Sequence, residues 1–457
     1  MKTPDLVTGA APGRSLKRRA IEGSAISLVA YSAAQVLRIV AHAIVAQELL
    51  PGVFGVMAII NTVVVGVQMF ADIGIGPSII QSKRGDDPGF LRTAWTIQVV
   101  RGAVLWGVVA ILAFPLSHAY AHRGLAYLDL VWLLPVAGAS AFISGFGSTS
   151  LFTLNRKLLL ARLASLDLAS QVIGLATTIV WVKIDPSVWA FVAGGLVGSA
   201  TRTIASHLWL PGIAHRLFWD RSAAAELVRF GRWIFLSTAI GFMGDRGYTL
   251  ILGAMMLNER LGLMSAATML AGAVDDALSR VWQSVLFPTY ARLKDRGLDH
   301  LRRRVAQVRL WLMAATFPPL LVLAFFGRDI ARLLYLGKPE FMDVGVLLVV
   351  LAAGKLTTAR TSAFPILLAV GDSLRFMVVK GATTGAMLLG MGLGGVIWGE
   401  VGLVYGLAFG PSLAYPFHVW ALRAHRMNMP LLDSLGYLIG GSGAFASLWL
   451  LGEGRVW

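Results

Sequence analysis

The stretch RLKDRGLDHLRRRVAQVR (292–309) lies between two long apolar runs, MSAATMLAGAVDDALSRVWQSVLF (264–287) and LWLMAATFPPLLVLAFF (310–326). It carries seven Lys and Arg residues, and this density of positive charge is common in nucleic-acid-binding arms. Apolar runs of this length on both sides are instead typical of membrane spans, where basic loops fix the orientation of the chain. The alternation therefore predicts a helical membrane protein.

Composition leads to the same fold class. The chain is 56% hydrophobic and 14% charged, with a mean hydropathy of +0.71, whereas soluble domains are about 25% charged. The formal net charge of +16 by itself would suit nucleic acid, but the sequence leaves no soluble basic domain to bind it, so no nucleic-acid partner is predicted. The chain has no cysteine, which excludes disulfides, thiolate metal sites and cysteine nucleophiles.

A bilayer core requires about 20 mostly apolar residues per helix. The N-terminus, MKTPDLVTGAAPGRSLKRRAIEG, is polar and basic, and the apolar run after it is too long for a signal peptide, so the first span is expected to be retained. We predict an all-α polytopic protein with 12–14 transmembrane helices. The thirteen candidate spans are 24–46, 53–78, 92–116, 126–147, 163–183, 187–211, 232–254, 262–286, 308–326, 342–369, 376–398, 401–422 and 431–451.

Loop charge orients these spans. With a cytoplasmic N-terminus the basic residues fall in inner loops, and the outer loops ELLPG, AYAHRGL and KIDPS hold none, one and one. Only the outer loop GRDIARLLYLGKPE, with three, departs from the pattern. We predict a multi-pass protein of the bacterial inner membrane whose 292–309 segment is a topological anchor. Its apolar positions also indicate an amphipathic helix at the inner interface; they are Leu293, Leu298, Leu301, Val305 and Val308.

A weak internal repeat suggests the domain organisation. FGVMA (54–58) opens the second span and LGLMS (261–265) opens the eighth, 207 residues later (261 minus 54). Six spans per repeat would relate the copies by an axis along the membrane normal. The predicted parts are a cytoplasmic tail (1–23), an N-terminal six-helix lobe (24–212), a cytoplasmic linker (213–231), a C-terminal six-helix lobe (232–422) and an extra C-terminal helix (423–457), which the sequence GGSG weakens.

Charged side chains inside spans are costly and usually face a cavity or a partner. Arg38, Arg101 and Lys355 lie deep in their spans without an acidic neighbour on their own helix. Their shared sign predicts an anionic ligand in a cavity. The full set of predicted substrate-binding residues is Arg38, Arg101, Lys355, Arg360, Gln35, Gln98 and His42.

Five further charges are candidates for coupling or gating: Asp245, Arg246, Asp275, Asp276 and Arg280. Structural alternatives stay open for them. Asp276 and Arg280 are spaced i, i+4 and can neutralise each other, and Asp245 could pair with Asp275 or Arg280. Lys380 and Arg202 lie close enough to the inner interface to extend their charges into it.

Motifs of catalysis are missing from the sequence. The eight histidines form no HExxH pair, and there is no GxSxG elbow and no P-loop. No loop between predicted spans is long enough for a soluble catalytic domain. We predict that the protein is not an enzyme and holds no metal or cofactor, with coupling to protons, sodium or the membrane potential left open.

Three stretches carry a resemblance to a known family. They are FADIGIGPSIIQSKRGDDPGFLRTAWTIQVVRG (70–102), LNRKLLLARLASLD (154–167), and the block from FMGDRGYTLILGAMMLNERLGLMSAATML to VLFPTYARLKD (242–295). The chain resembles the Wzx-like polysaccharide and oligosaccharide flippases of the multidrug/oligosaccharidyl-lipid/polysaccharide exporter superfamily. The first stretch is more similar to the exopolysaccharide and lipopolysaccharide exporters than to the drug exporters.

The resemblance implies two lobes around a central cavity, a rocker-switch cycle, and a polyprenyl-diphosphate-linked oligosaccharide as substrate, with a polysaccharide polymerase as possible partner. Arg38 falls at the family's first-helix arginine and Asp245 at its seventh-helix aspartate. The sequence QELLPGVFG (47–55) departs from the family, whose members usually have an arginine before the proline and acidic residues after it. The alternative function is a cation-coupled exporter of small molecules, with Asp245, Asp275 and Asp276 binding the cation.

Overall fold

The structure is a computed structural model of the chain. It describes residues 16–70, 74–121, 129–157, 159–227, 238, 241–281, 298–358 and 363–452. The side chains of residues 16–25, 27, 28, 278–281, 298–301, 363–365 and 369 lie outside this description. Every regular element within the described ranges is helical, and none is a strand. The all-α fold class is confirmed.

Nine helices belong to the first half of the chain. They are α1 (Leu16–Glu48), α2 (Pro51–Phe70), α3 (Ile75–Gln81), α4 (Pro88–Tyr120), α5 (Leu130–Gly145), α6 (Ser150–Arg156), α7 (Leu160–Ile184), α8 (Trp189–Leu208) and α9 (221–227). Local chemistry explains where two of them begin. Pro51 and Pro88 occupy first helical positions, where a missing N–H costs nothing, and the Asp87 carboxylate accepts from Gly89 N at 3.0 Å to cap α4.

The second half begins with a π-helical turn, Met243–Gly247. It continues with α10 (Tyr248–Met255), α11 (Asn258–Val281), α12 (Leu298–Leu334), α13 (Asp343–Thr358), α14 (Ala363–Val370), α15 (Ser373–Phe409), α16 (Tyr415–Ala424) and α17 (Pro430–Gly452). α15 reverses direction within its length, because Trp398 is non-helical and Gly399 has φ 60°. Its glycines allow the two arms to approach closely, since a Cβ on Gly402 would collide with Gly394.

Eight helices of the described ranges are long and apolar enough to cross a membrane, and up to nine if the bent pair α5–α6 (59°) is one span. The count of thirteen is not confirmed. Five of the predicted spans, 53–78, 126–147, 232–254, 262–286 and 342–369, reach into residues outside the description. The predicted spans 376–398 and 401–422 form one continuous apolar stretch, Ser373–Ala424, with the non-helical residues 398 and 399 close to the predicted boundary.

The two helices that begin with the repeated sequence, α2 and α11, contact each other at Gly55 and Gly262. A Cβ on Gly55 would collide with the backbone oxygen of Asn258, and a Cβ on Gly262 would collide with that of Pro51. These contacts are reciprocal, because the same offset of 207 residues relates Gly55 to Gly262 (262 minus 55) and Pro51 to Asn258 (258 minus 51). Reciprocal contacts of this kind are what a two-fold relation produces. The first turns of α2 and α11 therefore lie together at equivalent positions of the repeat.

The described part of the basic stretch 292–309 differs from the separate interfacial helix that the sequence predicts. Residues 298–309 are not a separate interfacial helix but the first third of α12, which continues into the apolar run. Val305 is buried in a protein cluster with Ile366, Leu367 and Val379, so this face is covered by other helices of the second half. Arg309, expected in an inner loop, is buried in an ion pair with Asp433 of α17. No helix breaker separates Gln307 from Leu312, which explains the continuity.

α17 runs without interruption through GGSG. A Cβ on Gly440 would collide with the carbonyl oxygen of Leu356 in α13, and one on Gly443 would lie 2.6 Å from the Leu321 side chain in α12. Ala444 is buried in the same cluster as Met313 and Leu356. The glycines that weakened the sequence prediction are therefore the surface by which this last helix packs.

The chain divides into two compact units. The first contains residues 1–41, 63–119 and 128–238, and the second contains residues 42–62, 120–127 and 239–457. The predicted lobes, 24–212 and 232–422, with the tail, linker and extra helix, are a different division of the chain, and their boundaries stay a prediction.

Gly262→Ala tests the close approach of α2 and α11. The added methyl group must push against backbone, and overpacking of this kind costs about 1–3 kcal/mol. Gly272→Ala, on the same helix, is the matched control, because a Cβ there meets nothing within 4 Å and alanine is the better helix former. We expect a lower melting temperature for Gly262→Ala alone, measured by size-exclusion chromatography after heating in detergent. Equal melting temperatures would contradict the contact.

Asp433→Ala tests the buried ion pair. Removing one partner of a buried pair leaves an uncompensated charge and costs about 3–5 kcal/mol, and it also removes the acceptor of the Tyr415 hydroxyl, 3.2 Å away. Asp343→Ala, which breaks the half-exposed pair with Arg260, is expected to cost less than about 1 kcal/mol. Thermal stability of both variants checks this, and a double variant Arg309→Leu, Asp433→Leu should recover part of the loss.

Candidate functional site: a cationic cavity in the first unit

Seven helices of the first unit, α2 to α8, surround a cavity of about 440 Å³. Its wall is part apolar, from residues such as Ile75, Leu105 and Phe152. Polar groups converge on it from six of these helices. They are Gln68, Gln98, Arg101, Ser144, Asn155, Asp167 and Arg202.

Arg101 reaches the cavity from the middle of α4. Its Nη2 donates to the carbonyl oxygen of Gln68 in α2 at 3.3 Å. The residue is half-buried, so the guanidinium group lies against apolar side chains rather than in open water. Arg101 was predicted from its depth in the span, and the structure places it in the cavity wall. Whether it binds substrate stays a prediction.

Gln98 lies one turn earlier on α4 and has a structural task. Gly102 and Gly145 let α4 and α5 approach closely, because a Cβ on Gly145 would lie 3.0 Å from the Gln98 carbonyl oxygen. The Gln98 side-chain amide thereby donates to the last carbonyls of α5, at 3.1 Å from Gly145 O and Gly147 O. Its Oε1 is buried and has no hydrogen-bond partner among the described residues.

Arg202 and Asp167 form an ion pair across α7 and α8, with Nε and Oδ1 2.8 Å apart. Both side chains are about half exposed. Sequence reasoning placed Arg202 at the membrane interface and passed over Asp167, so the cavity position of Arg202 is a correction. A signal was present, since a short loop joins the spans 163–183 and 187–211, and Asp167 and Arg202 lie at similar distances from that loop.

The charges in the wall favour an anion. Two guanidinium groups, Arg101 and Arg202, face one carboxylate, Asp167, so the three sum to a net charge of one positive (two minus one). Asp167 already neutralises Arg202 in part. Amide groups of Gln68 and Asn155 add donors and acceptors.

The predicted residues of α1 are placed separately from this cavity. Gln35 is buried, and its Oε1 has no partner within the part of the chain that the structure describes. Arg38 is exposed and is not among the residues of the cavity wall. His42 belongs to the second unit, where its ring lies 4.6 Å from that of Phe54 and 6.0 Å from that of Tyr335.

The predicted charges of the second unit form two ion pairs. Lys355 of α13 binds Asp275 of α11, and the Lys380 Nζ of α15 lies 2.7 Å from the Asp245 Oδ1. Asp245 is therefore paired with Lys380 rather than with Asp275, which binds Lys355, while the alternative pairing with Arg280 involves a side chain outside the described residues. Helices far apart in sequence supply both lysines, which spacing along one helix cannot show.

Asp245 lies in the π-helical turn Met243–Gly247. Such turns are rare and occur often at functional sites. Asp245 and Arg246 are exposed, as is Asp276. Arg360 and the side chain of Arg280 lie outside the described residues.

A strap of residues 209–220 follows α8 and lies along α4. Phe218 N donates to the Thr96 hydroxyl at 3.0 Å, and Asp220 N donates to the Thr93 hydroxyl at 3.1 Å. Arg84 binds Asp220 at 2.8 Å, and this hydrogen bond lowers the pKa of the Asp220 carboxyl to about 2. Burial lowers the pKa of His215 in the same strap to about 4, so its ring is neutral near pH 7. The start of the predicted linker (213–231) is thus bound to the first unit.

A polytopic helical fold with a polar, cationic cavity inside one unit defines a membrane transporter. The chain matches the family described as polysaccharide biosynthesis protein over residues 44–338, and it belongs to that family. The resemblance to the Wzx-like flippase family and its superfamily is confirmed.

Two relatives are similar along most of their length. The lipopolysaccharide biosynthesis protein WzxC of Escherichia coli (strain K12) is 23% identical over 400 residues, covering 86% of this chain and 78% of WzxC. An uncharacterized membrane protein in the cps region of Klebsiella pneumoniae is 23% identical over 376 residues, covering 80% and 75%.

Two solved structures share the fold. The inward-facing conformation of a multidrug resistance MATE family transporter of the MOP superfamily has a TM-score of 0.70 at 13% identity, covering 88% of this chain and 96% of that one. The lipid II flippase MurJ in an inward closed conformation has a TM-score of 0.69 at 11% identity, covering 93% and 98%. The predicted MATE-like helical fold is therefore confirmed.

Proposed function

We propose that this protein is a flippase that moves a polyprenyl-diphosphate-linked oligosaccharide across the bacterial inner membrane by alternating access, for exopolysaccharide or lipopolysaccharide synthesis. One observation carries the proposal, the cavity of the first unit with an excess of cationic over acidic side chains. Membership of the polysaccharide biosynthesis family supports the glycan. The MurJ-like fold supports an architecture suited to lipid-linked substrates.

The proposed substrate presents two chemical problems inside a membrane. Its diphosphate carries about two negative charges, which are costly to bring into a low dielectric unless cations are already in place. Guanidinium groups meet this requirement, because they stay charged and bind phosphate oxygens through paired hydrogen bonds. Arg101 is the group that we assign to this contact, and Arg38, which lies outside this cavity wall, is the second cation that we propose for the substrate during the cycle.

The sugar hydroxyls require neutral donors and acceptors. The amides of Gln68 and Asn155 offer both at the cavity. Arg202 is held by Asp167 and is half exposed, so an anionic group can compete for it without leaving a buried charge behind. Weak, exchangeable contacts of this kind also allow release, which a translocation cycle needs.

The alternative, a cation-coupled exporter of small molecules, is supported by the MATE-like fold and by the exposed carboxylates of the second unit. Asp245 and Asp275 would bind the coupling cation. Each is occupied by a lysine, so an arriving proton or sodium ion has to displace an ammonium group. This makes the two pairs better candidates for coupling or gating within the flippase cycle, driven by protons, sodium or the membrane potential, than for a drug site. We assign no catalysis to the protein.

The orientation is part of the proposal, with a cytoplasmic N-terminus and a polysaccharide polymerase as a partner on the outer side. Single cysteines test it, because the native chain has none. Asp185→Cys lies in an exposed outer-loop position and Arg303→Cys in an exposed inner one. We expect a membrane-impermeant maleimide to label the first in intact cells and the second only after permeabilisation. The reverse pattern would overturn the orientation.

Arg101→Ala tests the assignment of the diphosphate contact. Losing charge-assisted hydrogen bonds worth about 1.5–3 kcal/mol should lower glycan export at least tenfold, with membrane abundance unchanged. Arg101→Lys should rescue export only in part, because an ammonium group lacks the planar fork. The matched control is Arg221→Ala, an exposed arginine of α9 outside the cavity, which should export normally.

Export of the glycan and immunoblots of the same membranes separate binding from folding. A purely structural arginine would show reduced abundance for Arg101→Ala and nearly full rescue by lysine. Normal export by an Arg38→Ala, Arg101→Ala double variant would exclude the mechanism.

A further inference from the structure

Lys338 occupies an unusual position beside the end of α1. Its Nζ lies 2.9 Å from the carbonyl oxygen of Ala46, 3.2 Å from that of Gln47 and 3.0 Å from that of Leu49. These are carbonyls of the last turn of α1 and of the turn into α2. The last carbonyls of a helix have no partner within the helix, and an ammonium group has three donors to offer. One lysine side chain thus caps the whole α1–α2 turn.

The charge of Lys338 suits this position. The C-terminal end of a helix carries a partial negative charge, which a cation stabilises most in a partly buried site. Lys338 is half-buried, and its ammonium group also lies 5.5 Å from the centre of the Phe341 ring.

A strained turn delivers Lys338 to the carbonyls. Leu336 and Gly337 have φ angles of 51° and 74°, and Gly337 N donates to Arg332 O at 2.9 Å, which ends α12. A leucine in the left-handed region is uncommon, and such strain persists only where the surroundings hold it. The turn is thus fixed in the conformation that directs Lys338 towards α1.

Aromatic rings hold this turn on both sides. Tyr335 and Phe341, three residues before and after Lys338, are fully buried and stacked with ring centres 4.7 Å apart. The Phe341 ring meets Phe54 of α2 at 5.7 Å, and Phe54 meets His42 of α1 at 4.6 Å. These packed rings therefore fix the backbone on both sides of Lys338 and also contact α1 and α2.

The same end of α2 packs against α11 at Gly55 and Gly262, with the Asn258 side chain beside Gly52 and Gly55. Lys338 adds three directional hydrogen bonds to this packing and to the aromatic contacts of Phe54. Lys338 also lies in GRDIARLLYLGKPE, the one predicted outer loop that is rich in positive charge, and the helix cap gives this residue a task other than topology.

We propose that Lys338 is a positioning residue that holds the α1–α2 turn in its closed position and sets how often this end opens. The inference rests on the proposed function, since alternating access requires the predicted outer end to open for release. Lys338 makes its three hydrogen bonds only while the turn is seated against the 335–341 segment. Removing them shifts the population towards the open state.

The experiment uses the full-length chain with one cysteine, Ala46→Cys, whose side chain is fully buried in the capped turn. Lys338→Met removes the ammonium group and keeps the length of the side chain. We expect it to raise the rate of maleimide labelling at position 46 at least tenfold. Lys338→Arg, which keeps charge and donors, should stay within about threefold of the parent. Lys183→Met, which removes an exposed lysine from another predicted outer end, is the matched control and should change nothing.

Labelling is measured in intact cells and in inside-out vesicles, so the orientation of the chain does not decide the result. Leu50→Cys, exposed in this structure, must label equally in all backgrounds. Lys338→Gln serves as the second variant if Lys338→Met accumulates poorly. An unchanged labelling rate at position 46 in either variant at normal abundance would overturn the proposal. Because labelling needs no glycan, a protein that fails to export glycan would refute the proposed function and leave this test intact.

Discussion

A charged side chain in the hydrocarbon core costs about 2.5–3.5 kcal/mol on insertion scales, and the arrangement of helices in this protein follows from that cost. Arg309 is buried with Asp433, Lys355 lies on Asp275, and Lys380 lies on Asp245. Each pair joins two helices that are distant in sequence. The charges therefore act as specific contacts between helices, and they determine which faces meet.

Glycine provides the second kind of contact. Hydrocarbon gives helices little hydrophobic reason to associate, so close backbone approach has to supply the packing energy. The chain has 50 glycines, and those at α2–α11, α13–α17 and the two arms of α15 leave no room for a Cβ. The α2–α11 contact differs from the others in being reciprocal between equivalent repeat positions.

The cavity of the first unit and the capped turn of the second unit suit different steps of one cycle. The cavity offers cations and amides that suit a charged, hydroxyl-rich ligand, and the capped turn is the element that we propose to control opening. The Asp245 and Asp275 pairs of the second unit are the proposed coupling groups. Recognition and gating are thus proposed for different residues.

The sequence by itself determined the membrane class, the family and the deep position of Arg101, because hydropathy, motifs and span depth are properties of short segments. It also located the repeat through FGVMA and LGLMS, although five residues cannot show that the two glycines touch. Only the tertiary structure decided that Arg309 is buried, that Arg202 and Asp167 share a cavity, and that Lys338 caps α1. Each of these depends on how a helix is rotated about its axis and which neighbour it meets. Periodicity along one helix does not fix that rotation, since in a bilayer nearly every face is apolar.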